Sequence, residues 1–293
     1  MTWALAAVGV LGVSASGPLM AAIAAPALAI AFWRNALAAV VLAPVAVSTR
    51  RHELRGLGRR EARLLVVAAA ALACHFGTWT SALKLTSVAS ATALVCLQAG
   101  FVVLIGRWRG HRVRRTVLAG LGLAFAGVLV VAGVDVTVSN EAVAGDLLAL
   151  SGGFFGAVYT WAGSDLRRSL STTTYTSLCY GSCAVLLLVA CAVAGQAAVG
   201  YEPRAWAGIV AVTVSAQLLG HSVFNHLLAT MSPTVVSLVL LLEVPGASLL
   251  AAVFLQQAPP WGVYAGLLLV LAGLALVVTS HRPSGQPVET GID

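Results

Sequence analysis

Charged residues are scarce in this sequence, and their scarcity excludes an ordinary soluble domain. Asp, Glu, Lys and Arg make up only 9% of the 293 residues, against about 25% in soluble proteins. In contrast, 59% of the residues are hydrophobic, and the mean hydropathy is +0.94. The apolar residues form runs that are long enough to cross a bilayer as helices, with short connections between them. We expect ten spans, at residues 3–23, 28–47, 64–83, 88–105, 117–134, 144–161, 175–194, 205–229, 234–255 and 261–279.

Sequence motifs of enzymes are also missing. The chain has no HExxH, GxSxG, Walker or zinc-ligand pattern, and Gly120-Leu121-Gly122 lacks the strand and the spacing of a dinucleotide-binding loop. All five cysteines fall inside predicted spans, where Cys179 and Cys183 share a helix face, but two thiols alone make a poor metal site. We therefore expect no enzymatic activity, no metal and no cofactor. The N-terminus lacks a basic n-region, so the first run is predicted to be a span rather than a cleaved signal.

The few basic residues are distributed unevenly, and their distribution predicts the orientation of the chain. Arginine clusters lie at 50–63 between spans 2 and 3 and at 107–115 between spans 4 and 5, and Arg167 and Arg168 follow span 6. The loops on the opposite side hold only Lys84 and Arg204 among basic residues. Because basic residues accumulate in cytoplasmic loops, we expect a multi-pass protein of the inner (plasma) membrane with both termini in the cytoplasm. The arginines then contact lipid headgroups rather than nucleic acid.

The two halves of the sequence resemble each other. A shift of 145 residues places Ser87 on Ser232, Gln98 on Glu243, Gly100 on Pro245, Trp79 on Phe224 and Leu83 on Leu228. In addition, VLAGLGLAFAG at 117–127 matches VYAGLLLVLAG at 263–273. Five spans in each half require the two copies to insert in opposite orientations, a design typical of transporters with a midplane site. We predict an all-α polytopic protein with repeats at 1–134 and 143–280 and a cytoplasmic tail at 281–293.

Five stretches of the chain resemble the EamA-type members of the drug/metabolite transporter superfamily. These stretches are AFWRNALAA at 31–39, LTSVASATALV at 85–95, SPTVVSLVLLLEVPGASLLAAVFL at 232–255, and the AG…AG pairs of spans 5 and 10. The resemblance covers nearly the whole chain and implies a ten-span efflux transporter. The family often has a glutamate at the end of the ninth span, whereas this chain has Gln256 and Gln257 there. No role of that edge glutamate can be carried over.

Glu243 is the first candidate for a functional site. It lies about 14 Å into its span at 1.5 Å per residue, near the middle of a hydrocarbon core about 30 Å thick. Gln98 occupies the equivalent place in the first half. An ionised carboxylate at this depth needs a partner or water, and Arg34, the one basic residue within a span, is predicted to snorkel towards the membrane surface. Two positions further on, Gly100 and Pro245 weaken their helices and are predicted flex points.

Histidines and aromatic residues supply the remaining candidates. His75 lies in span 3, and His221 and Asn225 share a face of span 8. Two interpretations stay open for the histidines, a role in transport and a hydrogen bond to a backbone carbonyl that only holds helices together. Trp79 and Phe224 lie in the same two spans and are candidates for the walls of a substrate cavity.

The sequence favours a secondary transporter that exports a small organic solute, an amino acid or a related metabolite, with Glu243 carrying a coupling proton. An exporter of lipophilic cationic drugs remains the alternative, because a carboxylate with aromatic walls also suits a cation. A scaffold or sensor that transports nothing is the alternative of another class. The expected partners are the solute and the lipid bilayer, and the sequence leaves open whether the chain forms a homodimer.

Overall fold

The computed structural model describes residues 2–135, 139–257 and 261–280, and in this part of the chain every regular element is a helix. The first half contains α1 (Thr2–Ser14), α2 (Ser16–Ala22), α3 (Ala27–Thr49), α4 (Arg51–Arg55), α5 (Arg59–Ala82), α6 (Val88–Val95), α7 (Gln98–Trp108) and α8 (Arg115–Asp135). The second half contains α9 (Asn140–Leu166), α10 (Thr172–Val193), α11 (Pro203–Val212), the π-helix π1 (Thr213–His221), α12 (Ser222–Leu227), α13 (Pro233–Leu240), α14 (Glu243–Phe254) and α15 (Trp261–Ser280). The predicted tail, 281–293, lies outside the described residues.

Eight stretches of helix are long and apolar enough to cross a membrane, which confirms the prediction of an all-helical, multi-pass chain. They are Thr2–Ala22, Ala27–Thr49, Arg59–Ala82, Val88–Trp108, Asn140–Leu166, Thr172–Val193, Pro203–Leu227 and Pro233–Phe254. The apolar stretches in α8 and α15 are shorter, Arg115–Val130 and Tyr264–Gly273. Eight of the ten predicted spans therefore have a counterpart, and the count of ten stays a prediction.

Large apolar side chains cover much of the outer surface. Leu11, Val193 and Phe254 are 73%, 84% and 74% exposed. Soluble monomers rarely expose apolar surface on this scale. A surface of this kind suits contact with lipid hydrocarbon.

Serine side chains fix the start of four helices. The hydroxyls of Ser87, Ser139, Ser171 and Ser232 each accept a hydrogen bond from the backbone N–H three residues further on. This N-cap satisfies one of the amide groups that a helix leaves free in its first turn. Ser87 and Ser232 are equivalent under the shift of 145 residues, so the two halves begin their fourth helical stretch in the same way.

Two membrane-length stretches are broken in the middle. α6 ends at Val95 and α7 begins at Gln98, whereas α13 ends at Leu240 and α14 begins at Glu243. In both breaks the hydrogen bonds reach three residues back instead of four, for example from the N–H of Leu97 to the carbonyl of Leu94. Pro245 explains the second break, since its ring clashes with the carbonyl four residues earlier, at Leu241, and offers it no N–H.

Glycines bring α8 and α15 into close contact. A Cβ atom on Gly273 would lie 2.4 Å from the carbonyl oxygen of Gly120, and one on Gly127 would lie 2.5 Å from the carbonyl oxygen of Gly266. Real Cβ atoms do not approach a carbonyl oxygen so closely, so these helices can pack backbone to backbone only because glycine is present.

Replacing Gly273 by leucine is therefore expected to separate α8 from α15 and to lower the unfolding temperature of the purified protein. The expected loss is on the order of 5 °C, because the whole interface must move to admit the side chain. Gly122→Leu is the matched control, since a Cβ on Gly122 has no atom within 4 Å. Equal melting temperatures for the two variants, measured by fluorescence in detergent, would contradict this packing.

Candidate functional site

The seven predicted site residues line one small cavity, which we call the central cavity. Its volume is about 40 Å³, enough for a few water molecules and far less than the several hundred Å³ of a typical organic-ligand site. The cavity is lined by His75, Trp79, Val95, Cys96, Gln98, Gly156, Tyr159, Thr160, His221, Phe224, Asn225, Leu228, Val236, Ser237, Leu240 and Glu243. Residues from both halves of the sequence thus meet around one polar space.

The two broken helices place Gln98 and Glu243 at the cavity. Each is the first residue of the second half-helix, α7 or α14. The N–H groups of Ala99 and Val244 already donate to the carbonyls of Cys96 and Leu241, so the starts of these half-helices act on a neighbouring carboxylate mainly through the partial positive charge of a helix N-terminus. Glu243 is buried, and its Oε1 atom has no hydrogen-bond partner among the described residues. The carboxyl group of Glu243 therefore has an acceptor oxygen to offer to a ligand or to water.

Gln98 is held against α9 by a glycine. Its Nε2 donates to the hydroxyl of Thr160 at 3.2 Å, and that hydroxyl donates to the carbonyl of Gly156 at 2.9 Å. A Cβ atom on Gly156 would lie 2.1 Å from Oε1 of Gln98 and 3.0 Å from Nδ1 of His75. Only a glycine at position 156 allows both side chains their present positions.

The two predicted histidines lie side by side at the cavity wall, with ring centroids 6.2 Å apart. Nδ1 of His75 is 2.8 Å from the carbonyl oxygen of Gly152. Since a carbonyl only accepts, Nδ1 carries the proton, and Nε2 of the neutral ring is an acceptor. The ring of His75 also stacks on Trp79 at 5.9 Å. His75 thus makes the contact expected of a helix-holding histidine while it also borders the cavity.

Asn225 joins the cavity to a pair of tyrosines. Its Nδ2 is 2.5 Å from the hydroxyl of Tyr159 and 3.1 Å from that of Tyr180. The hydroxyl of Tyr180 also lies 3.3 Å from that of Ser222, at the end of π1. Sequence reasoning did not single out Tyr180, because a tyrosine in an apolar helix carries no signal of which neighbour it contacts.

The position of Arg34 differs from the one expected from the sequence, which was near the membrane surface. Arg34 does not snorkel, because it is fully buried between helices. Its Nε donates to Oε1 of Gln217 at 2.8 Å, and one of its terminal nitrogens donates to the hydroxyl of Ser16 at 3.1 Å. Its guanidinium lies 4.2 Å from the ring centre of Phe76. Three other helical segments therefore hold a positive charge behind the wall of the central cavity.

The segment that carries Gln217 is π-helical rather than α-helical. π-Helices are rare and occur often at functional sites. Here π1 runs from Thr213 to His221, and it carries Gln217 towards Arg34 and His221 towards the cavity. The sequence offers no signal for this local widening of the helix.

A second and larger space, which we call the vestibule, adjoins the central cavity at the arginine-rich end. Its volume is about 490 Å³, and Leu228 lines both spaces. The vestibule is lined by Val103, Gly106, His111, Arg112, Val113, Arg114, Val117, Trp161, Ser164, Arg167, Arg168, Leu228, Ala229, Thr230, Met231, Ser232, Pro233 and Thr234. It lies where the loops before α8 and α13 meet the end of α9.

Polar contacts tie the segments together at the other end of the bundle. Nζ of Lys84 donates to the carbonyls of Met20 and Ile23 at 3.0 and 2.8 Å. Nε1 of Trp33 donates to the carbonyl of Ala198 at 2.6 Å. Burial lowers the pKa of Lys84, and the carbonyl oxygens at the end of α2 compensate the charge that remains at neutral pH.

The two predicted flex points lie just after the helix breaks. Gly100 is the third residue of α7, and Pro245 is the third residue of α14. Neither residue lines the central cavity, whereas Gln98 and Glu243 do. In each half-helix, the predicted flex point therefore lies between the residue that lines the cavity and the remainder of the helix.

A family model, a related sequence and a solved structure all match this chain over most of its length. The model of the EamA-like transporter family matches residues 1–133 and 143–279. The chain is 26% identical to an "uncharacterized transporter" of Archaeoglobus fulgidus over 86% of its own length and 88% of the relative. It is also similar in fold to a protein solved by crystallography, with a TM-score of 0.72 and 20% identity over 96% and 98% of the two chains. The chain therefore belongs to the EamA-like transporter family, and it is a multi-pass membrane protein with the general role of a transporter.

Proposed function

We propose that this protein is a secondary transporter of the plasma membrane that exports an amino acid or a related small metabolite. The observation that carries the proposal is the central cavity, where polar side chains from both halves of the chain meet at two broken helices. In transporters, such breaks expose helix ends and backbone groups to a bound solute or ion. The chain has no nucleotide-binding motif, so we propose that a gradient of protons or solute drives transport.

The proposed architecture is ten spans arranged as two inverted repeats, 1–134 and 143–280. Helix packing supports it, because partners exchange under the shift of 145 residues. α5 packs on α9, and its counterpart, the stretch from α11 to α12, packs on α1 and α2, the counterpart of α9. α3 packs on α10, and α8 packs on α15. In each of these pairs, the shift of 145 residues places one helix on the other. A pseudo-twofold relation between the halves accounts for all of these pairs.

An amino acid suits the chemistry of the central cavity. The N-termini of α7 and α14 favour a carboxylate, and the carboxyl group of Glu243 accepts hydrogen bonds from an ammonium group. The amides of Gln98 and Asn225 and the hydroxyl of Tyr159 add neutral donors and acceptors. Both signs are therefore present within one space, which suits a zwitterion better than a lipophilic cation.

We infer that the structure corresponds to a nearly closed state that faces the cytoplasm. The vestibule shares Leu228 with the central cavity and lies at the arginine-rich end, which the positive-inside rule places in the cytoplasm. The contacts of Lys84 and Trp33 close the opposite end. The cavity must widen to hold a solute, and Gly100 and Pro245 are the proposed points at which α7 and α14 bend to allow it.

The proposed function is tested by efflux from proteoliposomes that contain the purified protein. Vesicles are loaded with each of the common amino acids in labelled form, and protein-free vesicles serve as the control. We expect efflux well above the control for a subset of amino acids, together with a rise in the melting temperature of the protein on binding them. Flux of cationic drugs without flux of amino acids would favour the drug-export alternative, and neither flux nor stabilisation would contradict transport of either class.

The proposed orientation has its own test in single cysteines placed at exposed positions. Cysteine at His52, in the short helix α4, is expected to react with a membrane-impermeant maleimide only from the cytoplasm. Cysteine at Asn140, the first residue of α9, is expected to react only from outside. The native cysteines are replaced beforehand, because Cys74 is exposed. Labelling of Asn140→Cys from the cytoplasm would overturn the orientation.

A further inference from the structure

The vestibule has a charge that the transport function does not explain by itself. Arg112, Arg114, Arg167 and Arg168 line it together with His111, and none of its described lining residues is acidic. Its volume of about 490 Å³ falls in the range of small-molecule sites. A concave space with charge of one sign concentrates ions of the opposite sign.

The carboxylates near this cluster leave part of its charge unpaired, and the one that acts on Arg167 is Glu53. Asp165 forms an ion pair with Arg109 at 2.8 Å, and neither residue lines the vestibule. Within the described part of the chain, Arg112 and Arg168 have no acidic group within ion-pair distance. These two arginines therefore keep a full positive charge at the vestibule.

The walls of the vestibule hold part of the cluster in place. The ring of His111 stacks on Trp161 at 5.1 Å, and Nε1 of Trp161 donates to the carbonyl of Val102 at 2.9 Å. Arg167 donates from Nε to the carbonyl of Asn225 at 3.1 Å and from Nη1 to the carbonyl of Leu170. Burial lowers the pKa of Arg167, although a guanidinium with carbonyl partners stays protonated at neutral pH. The cationic groups thus border the end of α9 as well as the loop before α8.

A helix start adds donors of another kind. α13 begins at Pro233 with Ser232 as its N-cap, and both residues line the vestibule along with Thr230 and Thr234. The N–H of Thr234 lies in the first turn, where α-helical amides have no acceptor within the helix, and the helix dipole is positive there. Hydroxyl groups, a helix N-terminus and guanidinium groups form the usual donor set for an oxyanion.

We propose that the vestibule is a binding site for an oxyanion, a phosphate or carboxylate group that approaches from the arginine-rich side. The group can belong to a free solute or to the headgroup of an anionic lipid, since both present the same oxygens. The site also contacts the central cavity, because Arg167 holds the carbonyl of Asn225 and Leu228 lines both spaces. An anion bound in the vestibule lies next to the route that a solute would follow.

The test compares the purified full chain with two double variants. Arg112→Gln/Arg168→Gln removes two charges from the vestibule, whereas Arg59→Gln/Arg60→Gln removes two exposed arginines from the start of α5, outside it. The melting temperature is measured in detergent against sodium phosphate, with sodium chloride at equal ionic strength as the reference. We expect saturable stabilisation by phosphate in the wild type and in the α5 variant, with an affinity on the order of tenfold weaker in the vestibule variant.

A second arm identifies the source of the oxyanion. Each protein is reconstituted with a mixture of phosphatidylglycerol and phosphatidylcholine, and the lipid that stays bound is counted by native mass spectrometry. Retention of phosphatidylglycerol that is lost only in the vestibule variant, without an effect of phosphate, assigns the site to a lipid headgroup. Stabilisation by phosphate in lipid-free detergent assigns it to a free oxyanion.

Absence of both effects in the wild type, or equal effects in the two double variants, would overturn the proposal. If the arginines only set the orientation of the chain in the membrane, the two double variants should show equal effects, because both pairs lie on the same side of the membrane. The binding measurements involve no transport, so their failure and a failure of the proposed function are distinguishable.

Discussion

Replacing Glu243 by glutamine is expected to abolish the pH dependence of net transport while solute exchange stays measurable. The carboxyl group is buried at the start of α14, and its Oε1 atom has no hydrogen-bond partner among the described residues. Loss of hydration disfavours the charged form of such a group, so a change in its access to water changes its proton occupancy. Glutamine keeps the shape of Glu243 and its capacity to form hydrogen bonds but cannot titrate, and Gln98, its equivalent in the first half, cannot take over the proton.

The measurement is net efflux from proteoliposomes at several imposed pH gradients, together with exchange at equal pH on both sides. Glu202→Gln, at an exposed loop carboxylate, is the control and should behave like the wild type. A Glu243→Gln variant with the rate and pH profile of the wild type would assign Glu243 a structural role. Loss of all solute binding would instead make Glu243 a direct anchor for an amino group.

Replacing Gly156 by alanine is expected to reduce solute exchange at least tenfold, roughly the effect of 1.4 kcal/mol or more on the transport barrier. The added methyl group would lie 2.1 Å from Oε1 of Gln98, so it must drive that side chain into a cavity of only about 40 Å³. It would also press on Nδ1 of His75 at 3.0 Å. Overpacking of this kind costs about 1–3 kcal/mol of stability, which leaves the protein folded at a lower melting temperature.

Gly122→Ala provides the control for Gly156→Ala, since a Cβ atom there meets nothing within 4 Å. Exchange rates and melting temperatures of both variants are measured side by side. If Gly156→Ala transports like the control, the position of Gln98 does not matter for transport and the central cavity is not the solute site. A lower melting temperature with normal exchange would lead to the same conclusion.

The internal similarity of the sequence pointed to the residues of the central cavity better than any single residue did. The shift of 145 residues paired Gln98 with Glu243, and both turn out to begin half-helices at one cavity. A polar residue deep in an apolar run has few places to go, and in the proposed inverted repeat equivalent positions would meet near a common axis. The two histidines and Asn225 were also chosen because they are polar residues within apolar runs, and they line the same cavity.

The position of the helix breaks was less accessible to sequence reasoning. Pro245 predicts a weak helix, but the break lies at Leu241 and Leu242, because proline disturbs the carbonyl four residues before it. The equivalent stretch of the first half, Val88–Trp108, contains no proline, and the break before Gln98 occurs all the same. Glycine at position 100 permits the break without requiring it.

The buried charge of Arg34 shows the limit of a sequence read one helix at a time. Six residues from the start of its predicted span, Arg34 could snorkel or turn inwards, and only its partners decide between the two. Those partners are Ser16 and Gln217, 18 and 183 residues away in the sequence. Polar residues in two other apolar runs were the available signal, but no pattern within one run shows that they converge.

The most direct test of the account is the reactivity of Cys96, which lines the central cavity beside the first helix break. In a protein with Cys96 as its only cysteine, a small membrane-impermeant methanethiosulfonate reagent is added to proteoliposomes from one side or the other. If the cavity opens alternately to the two sides of the membrane, Cys96 reacts from either side. A transported amino acid that shifts the balance between the states should then change the two rates in opposite directions. Reaction from neither side, or from one side only whatever solute is present, would contradict the assignment of this cavity as the transport site.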